Sequence, residues 1–168
     1  MQRRNFNRAE ESNRIRTTGT GLKMLAHALK IAYEAHEGQV DKAGASYINH
    51  CLRVAEVMTT TEEKIVALLH DIVEDTEITF EYLEHEGFSE EVVTAVKAIT
   101  RELEEPYNDY LLRVVKNKLA YKVKLADMMD NSDVTRFKSG ATKEQIKKCD
   151  GYLMKHGKLV SLHKTLAC

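Results

Sequence analysis

The chain has 168 residues, of which 43% are hydrophobic, a composition that suits one domain with its own core. Its 25 Lys and Arg residues nearly balance its 26 Asp and Glu residues, so the overall charge gives no reason to expect a nucleic acid or a membrane as partner. The sequence contains no apolar run of about 18 residues, which excludes a transmembrane helix.

The N-terminal segment is basic, and the cysteines are odd in number. We expect residues 1–20 to form a basic, flexible arm and residues 21–168 to form the folded domain, because the first sixteen residues hold five arginines against two glutamates. The three cysteines, Cys51, Cys149 and Cys168, lack the spacing of a zinc ribbon. Together with the lack of an apolar signal segment, they indicate reduced thiols and a cytoplasmic protein.

The first half of the chain shows the apolar spacing of helices joined by short loops. A helix is predicted over residues 22–36, and its buried face is expected to consist of Leu22, Leu25, Ala26, Leu29, Ala32, Tyr33 and His36. Gly38 and residues 41–44 predict a loop. A second helix follows His50, and its inward residues are expected to be Leu52, Ala55 and Met58. Residues 62–75 are apolar through their middle and predict a central, buried helix.

The second half continues in the same way. Thr79 is predicted to cap a short helix, and Ser89 to cap the next, whose buried face is expected to consist of Val92, Ala95, Val96 and Ile99. Helical spacing resumes after Pro106, and a further helix carries Ala120, Val123 and Asp127. Thr142 and Gln145 form a capping box that opens the last long helix. Because no alternating strand pattern of useful length is present, we predict an all-α, single-domain helical bundle.

One predicted helix contains an unusual group of ionisable residues, in the segment Leu68-Leu69-His70-Asp71-Ile72-Val73-Glu74-Asp75. In a continuous helix Glu74 lies one turn after His70, and Asp75 lies one turn after Asp71. Glu74 and Asp75 alone could simply be solvated, but that does not explain His70 and Asp71 between apolar neighbours. Clustered imidazole and carboxylate groups are typical of a site for a divalent metal ion.

Two further residues, taken alone, favour structural roles. Asp127 lies on the core-facing stripe of its predicted helix, where a helix cap or an ion pair is the commoner explanation. His50 precedes an apolar helix, and a single histidine in such a place is more often structural than a ligand. The case for chemistry therefore depends on the whole set of residues.

The set resembles the HD-domain superfamily, and more narrowly the (p)ppGpp hydrolase domain of the Rel/SpoT enzymes and their small stand-alone relatives. The resemblance extends from about Leu22 to Tyr152. It is carried, in order, by Gly38-Gln39, Lys42-Ala43-Gly44, Tyr47-Ile48-Asn49-His50, Ala67-Leu68-Leu69-His70-Asp71-Ile72-Val73-Glu74-Asp75-Thr76 and Val123-Lys124-Leu125-Ala126-Asp127.

The resemblance implies a role for each matching residue. The implied ligands of one divalent metal ion, usually manganese, are His50, His70, Asp71 and Asp127. Glu74 and Asp75 match the acids that position and polarise the attacking water. The implied substrate-binding residues are Lys42, Tyr47 and Asn131, together with Lys148 and Tyr152 on the last helix. The implied partner is a small nucleotide, with no membrane or nucleic acid, and the oligomeric state is left open.

The implied reaction is removal of the 3′-pyrophosphate of (p)ppGpp, which leaves GDP or GTP. One departure keeps alternatives open, because the family has arginine where this chain has Asp41, and that arginine is associated with holding the base. A carboxylate there is expected to repel an anionic nucleotide. Ser46 and Cys51 replace family prolines, which is expected to affect only loop stiffness. The alternatives are a phosphatase for a deoxynucleoside 5′-monophosphate or for the 2′-phosphate of NADPH, and a catalytically silent nucleotide-binding module.

Overall fold

The structure is a computed structural model that describes residues 3–166, with side chains described from Gly19 onward. Its helices are α1 (Arg3–Ala35), α2 (Ile48–Glu56), α3 (Thr61–Leu69), α4 (Ile72–Asp75), α5 (Phe80–His85), α6 (Glu90–Ile99), α7 (Tyr107–Lys116), α8 (Lys118–Ser132) and α9 (Lys143–Leu166), with a short 3-10 helix at Val134–Arg136. Within this part of the chain the only extended pairing is an isolated bridge between Val40 and Ser46. The predicted all-α bundle is confirmed, and none of its described helices combines the length and apolar character needed to cross a membrane.

Helix α3 forms the centre of the bundle. It packs against α1, α2, α6 and α8, and its residues from Ile65 to Leu69 are buried. Thr60 caps its first turn in a reciprocal capping box with Glu63, which fixes where the helix begins. The prediction of a central, buried helix is therefore confirmed for residues 61–69.

The predicted helix does not continue through residue 75. Helix α3 ends at Leu69, and Asp71 has φ −104° and ψ 0° before α4 begins. The His70 ring nitrogen Nδ1 lies 2.7 Å from the carbonyl oxygen of Ala67, which is the oxygen that the amide of Asp71 would bond in a continuous helix. The continuous helix was therefore a wrong prediction, and the break places two polar residues at the end of a buried helix.

The predicted helix caps are confirmed, whereas the predicted buried faces are partly wrong. Thr79, Ser89 and Thr142 accept hydrogen bonds from the backbone at the starts of α5, α6 and α9, as predicted. The predicted face of α1 is wrong for four exposed residues, Leu22, Ala26, Leu29 and Tyr33, and Leu52 on α2 is exposed as well. The division of the chain into an arm over residues 1–20 and a domain over residues 21–168 stays a prediction, since the side chains before Gly19 lie outside the described residues.

Candidate metal centre

Four predicted ligands, distant in sequence, converge in the middle of the bundle. His50 comes from α2, His70 and Asp71 from the break between α3 and α4, and Asp127 from α8. One ligand atom from each lies within 4.8 Å of the others. The His50 Nε2 atom is 3.3 Å from Asp127 Oδ1, and the His70 Nε2 atom is 2.9 Å from Asp71 Oδ2. The fold thus gathers two imidazole nitrogens and two carboxylate oxygens around one point.

The donor atoms fit a divalent cation. The Nε2 atoms of His50 and His70 are buried and have no hydrogen-bond partner, although buried polar atoms are normally paired. Both unpaired nitrogens face the carboxylates of Asp71 and Asp127. A mixed set of imidazole and carboxylate donors suits first-row metal ions that accept nitrogen and oxygen ligands. These four residues could therefore hold one metal ion.

Each histidine is oriented by a hydrogen bond from its other ring nitrogen. His50 Nδ1 donates to Asp130 Oδ2 over 2.6 Å, and His70 Nδ1 donates to the Ala67 carbonyl oxygen. Such outer partners fix the tautomer and the ring direction of a metal-ligating histidine. Asp130 was not among the residues predicted from the sequence. The position of Asp130, three residues after Asp127 on one helix, was the available signal.

The two carboxylates are also held from outside. The Tyr47 hydroxyl donates to Asp71 Oδ2 over 2.5 Å, and Asn131 Nδ2 donates to Asp127 Oδ1 over 2.5 Å. Lys124 Nζ lies 2.8 Å from Asp127 Oδ2, a contact that sequence analysis did not predict. Tyr47 and Asn131, predicted to border the substrate, therefore contact the predicted metal ligands directly.

The site favours positive charge. Burial alone would lower the pKa of His70, but the negative charges of Asp71 and Asp127 outweigh it and raise that pKa well above its usual value. Burial likewise would raise the pKa of Asp127, but Lys124 and the two histidines hold it well below its usual range. Protons and a divalent cation would compete for the same nitrogen atoms.

The two predicted catalytic acids have different surroundings. Glu74 Oε2 accepts the backbone N–H of Arg101 over 3.1 Å, so that carboxylate is turned toward the loop after α6. Asp75 is exposed, and its pKa is raised by partial burial and then by the nearby charge of Asp71. Gln39 Nε2 donates to the backbone carbonyl of Asp75 over 3.0 Å, which ties α4 to the loop before α2.

A cavity of about 640 Å³ is lined in part by Asn131, whose side chain also bonds the predicted ligand Asp127. The residues that line it include Lys42, Asn131, Phe137, Lys148, Tyr152 and Lys155. Lys42 Nζ donates to Asn131 Oδ1 over 3.1 Å and also to the hydroxyl of Tyr152. Asn131 therefore joins the cavity to Asp127, and four of the five predicted substrate-binding residues line the cavity. The fifth, Tyr47, lies beside Asp71 instead.

The Asp41 side chain does not act as the sequence analysis expected. Its Oδ1 atom accepts the backbone N–H groups of Ala43 and Ala45, and its Oδ2 atom faces Arg53 and Arg136 at 3.4 and 3.6 Å. The side chain is only 4% exposed. Repulsion of an anionic nucleotide by this carboxylate was a wrong expectation, because two arginines balance its charge and it faces its own loop.

Comparisons with known proteins agree with this geometry. The HD domain family matches residues 28–109. A guanosine-3′,5′-bis(diphosphate) 3′-pyrophosphohydrolase of Aquifex aeolicus is 34% identical over 119 residues, which are 64% of this chain and 17% of that protein. The bifunctional (p)ppGpp synthase/hydrolase SpoT of Escherichia coli K12 is 30% identical over 125 residues, which are 66% of this chain and 18% of that protein. The chain thus spans less than a fifth of the length of these two relatives.

A solved structure supports the same relationship. It is that of a metazoan ortholog of SpoT that hydrolyses ppGpp, and it is 27% identical, with a TM-score of 0.66. The superposition covers 83% of this chain and 85% of that one. This chain is therefore an HD domain related to the (p)ppGpp hydrolase domain of the SpoT/Rel proteins and to the metazoan SpoT ortholog.

Proposed function

We propose that this chain is a metal-dependent phosphohydrolase that removes the 3′-pyrophosphate of (p)ppGpp and leaves GDP or GTP. The observation that carries the proposal is a group of four buried or half-buried donors that Asn131 connects to a cavity lined by lysines. The donors fit a divalent cation, and the lysines fit a substrate with several phosphate groups. The related hydrolases suggest which nucleotide this is.

The proposed cofactor is one Mn²⁺ ion, held by His50, His70, Asp71 and Asp127. A divalent cation at this place would make a bound water more acidic and would neutralise charge that develops on the phosphate oxygens. The protein contributes the orientation of the four donors. Asp130 and the Ala67 carbonyl hold the two imidazole rings, and Tyr47 and Asn131 hold the two carboxylates.

Asp75 is the proposed acceptor of the proton from the attacking water, and Glu74 is proposed to position that water. Asp75 is exposed next to the donor cluster, and its raised pKa makes its carboxylate a stronger base than an ordinary aspartate. The Glu74 carboxylate already accepts a hydrogen bond from the Arg101 backbone, which favours a positioning role.

The cations of the cavity are proposed to bind the phosphate groups. The Lys42 ammonium group bonds Asn131 and Tyr152, and Asn131 in turn bonds the predicted ligand Asp127. Lys42 is therefore the central residue of the proposed phosphate site. Lys155 packs against the Tyr152 ring, with its ammonium 5.1 Å from the ring centre, and adds a second positive charge. Lys148 lies on the exposed rim, where it pairs with Glu144 at 2.9 Å.

A second candidate is a phosphatase for another nucleotide, such as a deoxynucleoside 5′-monophosphate or the 2′-phosphate of NADPH. It is favoured by Asp41, which gives this chain no arginine at the position that the family associates with the base. A catalytically silent nucleotide-binding module is disfavoured by the full set of donors and by Asp75 beside them.

A nucleotide panel tests the proposal. Purified protein loaded with Mn²⁺ is incubated with ppGpp, pppGpp, each deoxynucleoside 5′-monophosphate and NADPH, and released phosphate and pyrophosphate are measured. Pyrophosphate release from ppGpp, absent in the Asp71→Ala variant and present in the Asp109→Ala variant, is the expected result. Asp109 is an exposed aspartate on α7 and is the matched control. Phosphate release from another nucleotide with intact ppGpp would instead support the second candidate.

A further inference from the structure

Two acids and two arginines form a cluster between the loop that follows α1 and the end of α8. We call Asp41, Arg53, Asp130 and Arg136 the acid–arginine cluster. Arg53 Nε donates to Asp130 Oδ1 over 2.6 Å, and Arg136 donates to Asp130 Oδ2 over 2.7 Å. Both guanidinium groups also face Asp41 Oδ2, at 3.4 and 3.6 Å. The two negative and two positive charges balance within the cluster.

One end of the cluster orients a predicted metal ligand. Asp130 accepts the Nδ1–H of His50 over 2.6 Å, in addition to its bonds from the two arginines. The direction of the His50 ring therefore depends on where the arginines hold Asp130.

The other end shapes a loop. Asp41 Oδ1 accepts the N–H groups of Ala43 and Ala45 at 2.9 and 3.0 Å, and the Asp41 backbone pairs with Ala45. Gly44 lies at φ +80°, a conformation that glycine adopts readily, so the loop makes a tight turn around the Asp41 carboxylate. Lys42 extends from this turn to Asn131 and Tyr152 in the cavity.

Three of the four members of the cluster are buried together. The side chains of Asp41, Arg136 and Asp130 are 4%, 7% and 11% exposed, whereas that of Arg53 is 35% exposed. Removing one member of such a group leaves its partners buried without compensation, so the remaining members must move or admit water. A change at Asp41 is therefore expected to be felt at Asp130, although the two residues belong to different elements.

We propose that Asp41 is a positioning residue, and that the acid–arginine cluster couples the loop carrying Lys42 to the metal ligand His50. In this chain the residue at position 41 serves the substrate site through Lys42 and does not contact the substrate itself. The consequences for catalysis depend on the proposed function. The coupling itself is a property of the folded protein and is measurable without substrate.

The test uses three variants of the full chain. Asp41→Asn keeps an oxygen for the Ala43 and Ala45 amides but removes the charge that faces the arginines. Asp130→Asn removes the charge at the other end. Asp133→Asn is the matched control, because Asp133 also caps a local turn, through the Thr135 amide at 2.8 Å, but has no arginine partner. Circular dichroism and thermal melting establish that each variant is folded.

Two measurements without substrate decide the coupling. Hydrogen exchange of residues 42–46 reports the order of the loop, and titration with Co²⁺, followed by its visible absorption, reports the metal site. Asp130→Asn is expected to weaken Co²⁺ binding about tenfold or more and to speed exchange in the loop as well. Asp41→Asn is expected to speed loop exchange and, through Asp130 and His50, to weaken Co²⁺ binding as well, whereas Asp133→Asn is expected to change neither. If Asp130→Asn alone fails to fold, the effect of Asp41→Asn on Co²⁺ binding decides.

Kinetics with the nucleotide identified by the panel complete the test. Asp41→Asn is expected to raise KM severalfold with kcat little changed. Lys42→Met is expected to raise KM by a smaller factor in the Asp41→Asn background than in the wild type, because both changes disturb the same contact. Loop exchange unchanged in Asp130→Asn, or Co²⁺ binding unchanged in Asp41→Asn, would overturn the proposal. The proposal would also be overturned if Asp41→Asn and Lys42→Met raised KM independently, so that the fold-change of the double variant equalled the product of the two single fold-changes. Faster loop exchange in a protein that hydrolyses no nucleotide would overturn the proposed function but uphold the coupling.

Discussion

The candidate metal centre and the cavity that Asn131 connects to it are held in place by different contacts. Each of the four predicted ligands is buried or half-buried and has an outer partner at 2.5–2.8 Å. The cavity depends on long lysine side chains, of which Lys148 is 62% exposed. Buried, paired groups keep one geometry, whereas exposed lysines gain little from any one contact. Substitutions in the candidate metal centre should therefore abolish activity, and substitutions in the cavity should reduce it only in part.

The largest effect is expected from Asp71→Ala. This change removes one of two carboxylates from the donor set, so the protein should lose bound metal and more than about a thousandfold in kcat/KM. Elemental analysis and hydrolysis assays measure the two effects, and circular dichroism should show the helices retained. Asp109→Ala should keep both metal and activity. Full activity in Asp71→Ala would contradict the proposal that Asp71 binds a catalytic metal ion.

The next largest effect is expected from Asp75→Asn. Loss of a positioned proton acceptor should lower kcat by about 10²–10⁴-fold, with metal content unchanged. Glu74→Gln is the paired variant, and it should cost less because the amide oxygen can still accept the Arg101 N–H. Steady-state kinetics on metal-loaded protein compare the two. A larger loss in Glu74→Gln would exchange the roles proposed for the two acids.

Metal binding should weaken as the pH falls. His50 and His70 both have raised pKa values in the metal-free protein, so each must lose a proton before its nitrogen can bind a cation. Apparent affinity should therefore rise with pH by about tenfold per unit for each proton released, and level off above both pKa values. In the metal-free protein the same protons add stability at low pH, and this contribution is lost as the pH rises. Metal titrations at several pH values check the slope, and a flat profile would contradict the expected competition.

Lys42→Met should have an intermediate effect, in KM more than in kcat. The ammonium is held between Asn131 and Tyr152, and a charge-assisted hydrogen bond contributes about 1.5–3 kcal/mol, which corresponds to about tenfold or more in binding. Metal content should not change. A fall in kcat alone would place Lys42 at the reacting group and not at a remote phosphate.

Lys148→Met should have the smallest effect. Its side chain is exposed and already pairs with Glu144 one turn away on α9, so KM should change by less than about threefold. Glu144→Gln is the control, since it frees the lysine without removing it. A tenfold effect of Lys148→Met would mean that the rim closes over the substrate.

The helices and their caps could be predicted because their signals are local. Ser89 followed by two glutamates marks a helix start without any knowledge of the fold, and the spacing of Val92 and Val96 marks the buried face. The buried face of α1 was misjudged because apolar residues lie on more than one face of this helix. Its buried residues include Ala28, Ile31 and Ala32, of which only Ala32 was predicted, while Leu22, Leu29 and Tyr33 are exposed.

Parts of the site could not be predicted because they depend on contacts between distant segments. Asp130 meets His50 across 80 residues of sequence, and Asp41 meets Arg53 and Arg136 only after the loop has folded. The break after Leu69 involves a side chain that binds its own helix, which residue types alone do not show. The four predicted ligands could be found because their residue types are rare between apolar neighbours and because the motifs resemble a known family.

The most direct test of the proposed metal site is a crystal structure of the protein grown with Mn²⁺, with anomalous diffraction data to locate the ion. One anomalous peak is expected among His50, His70, Asp71 and Asp127, in contact with a donor atom of each. A peak elsewhere, or a well-ordered site with no peak at saturating Mn²⁺, would contradict the proposed site.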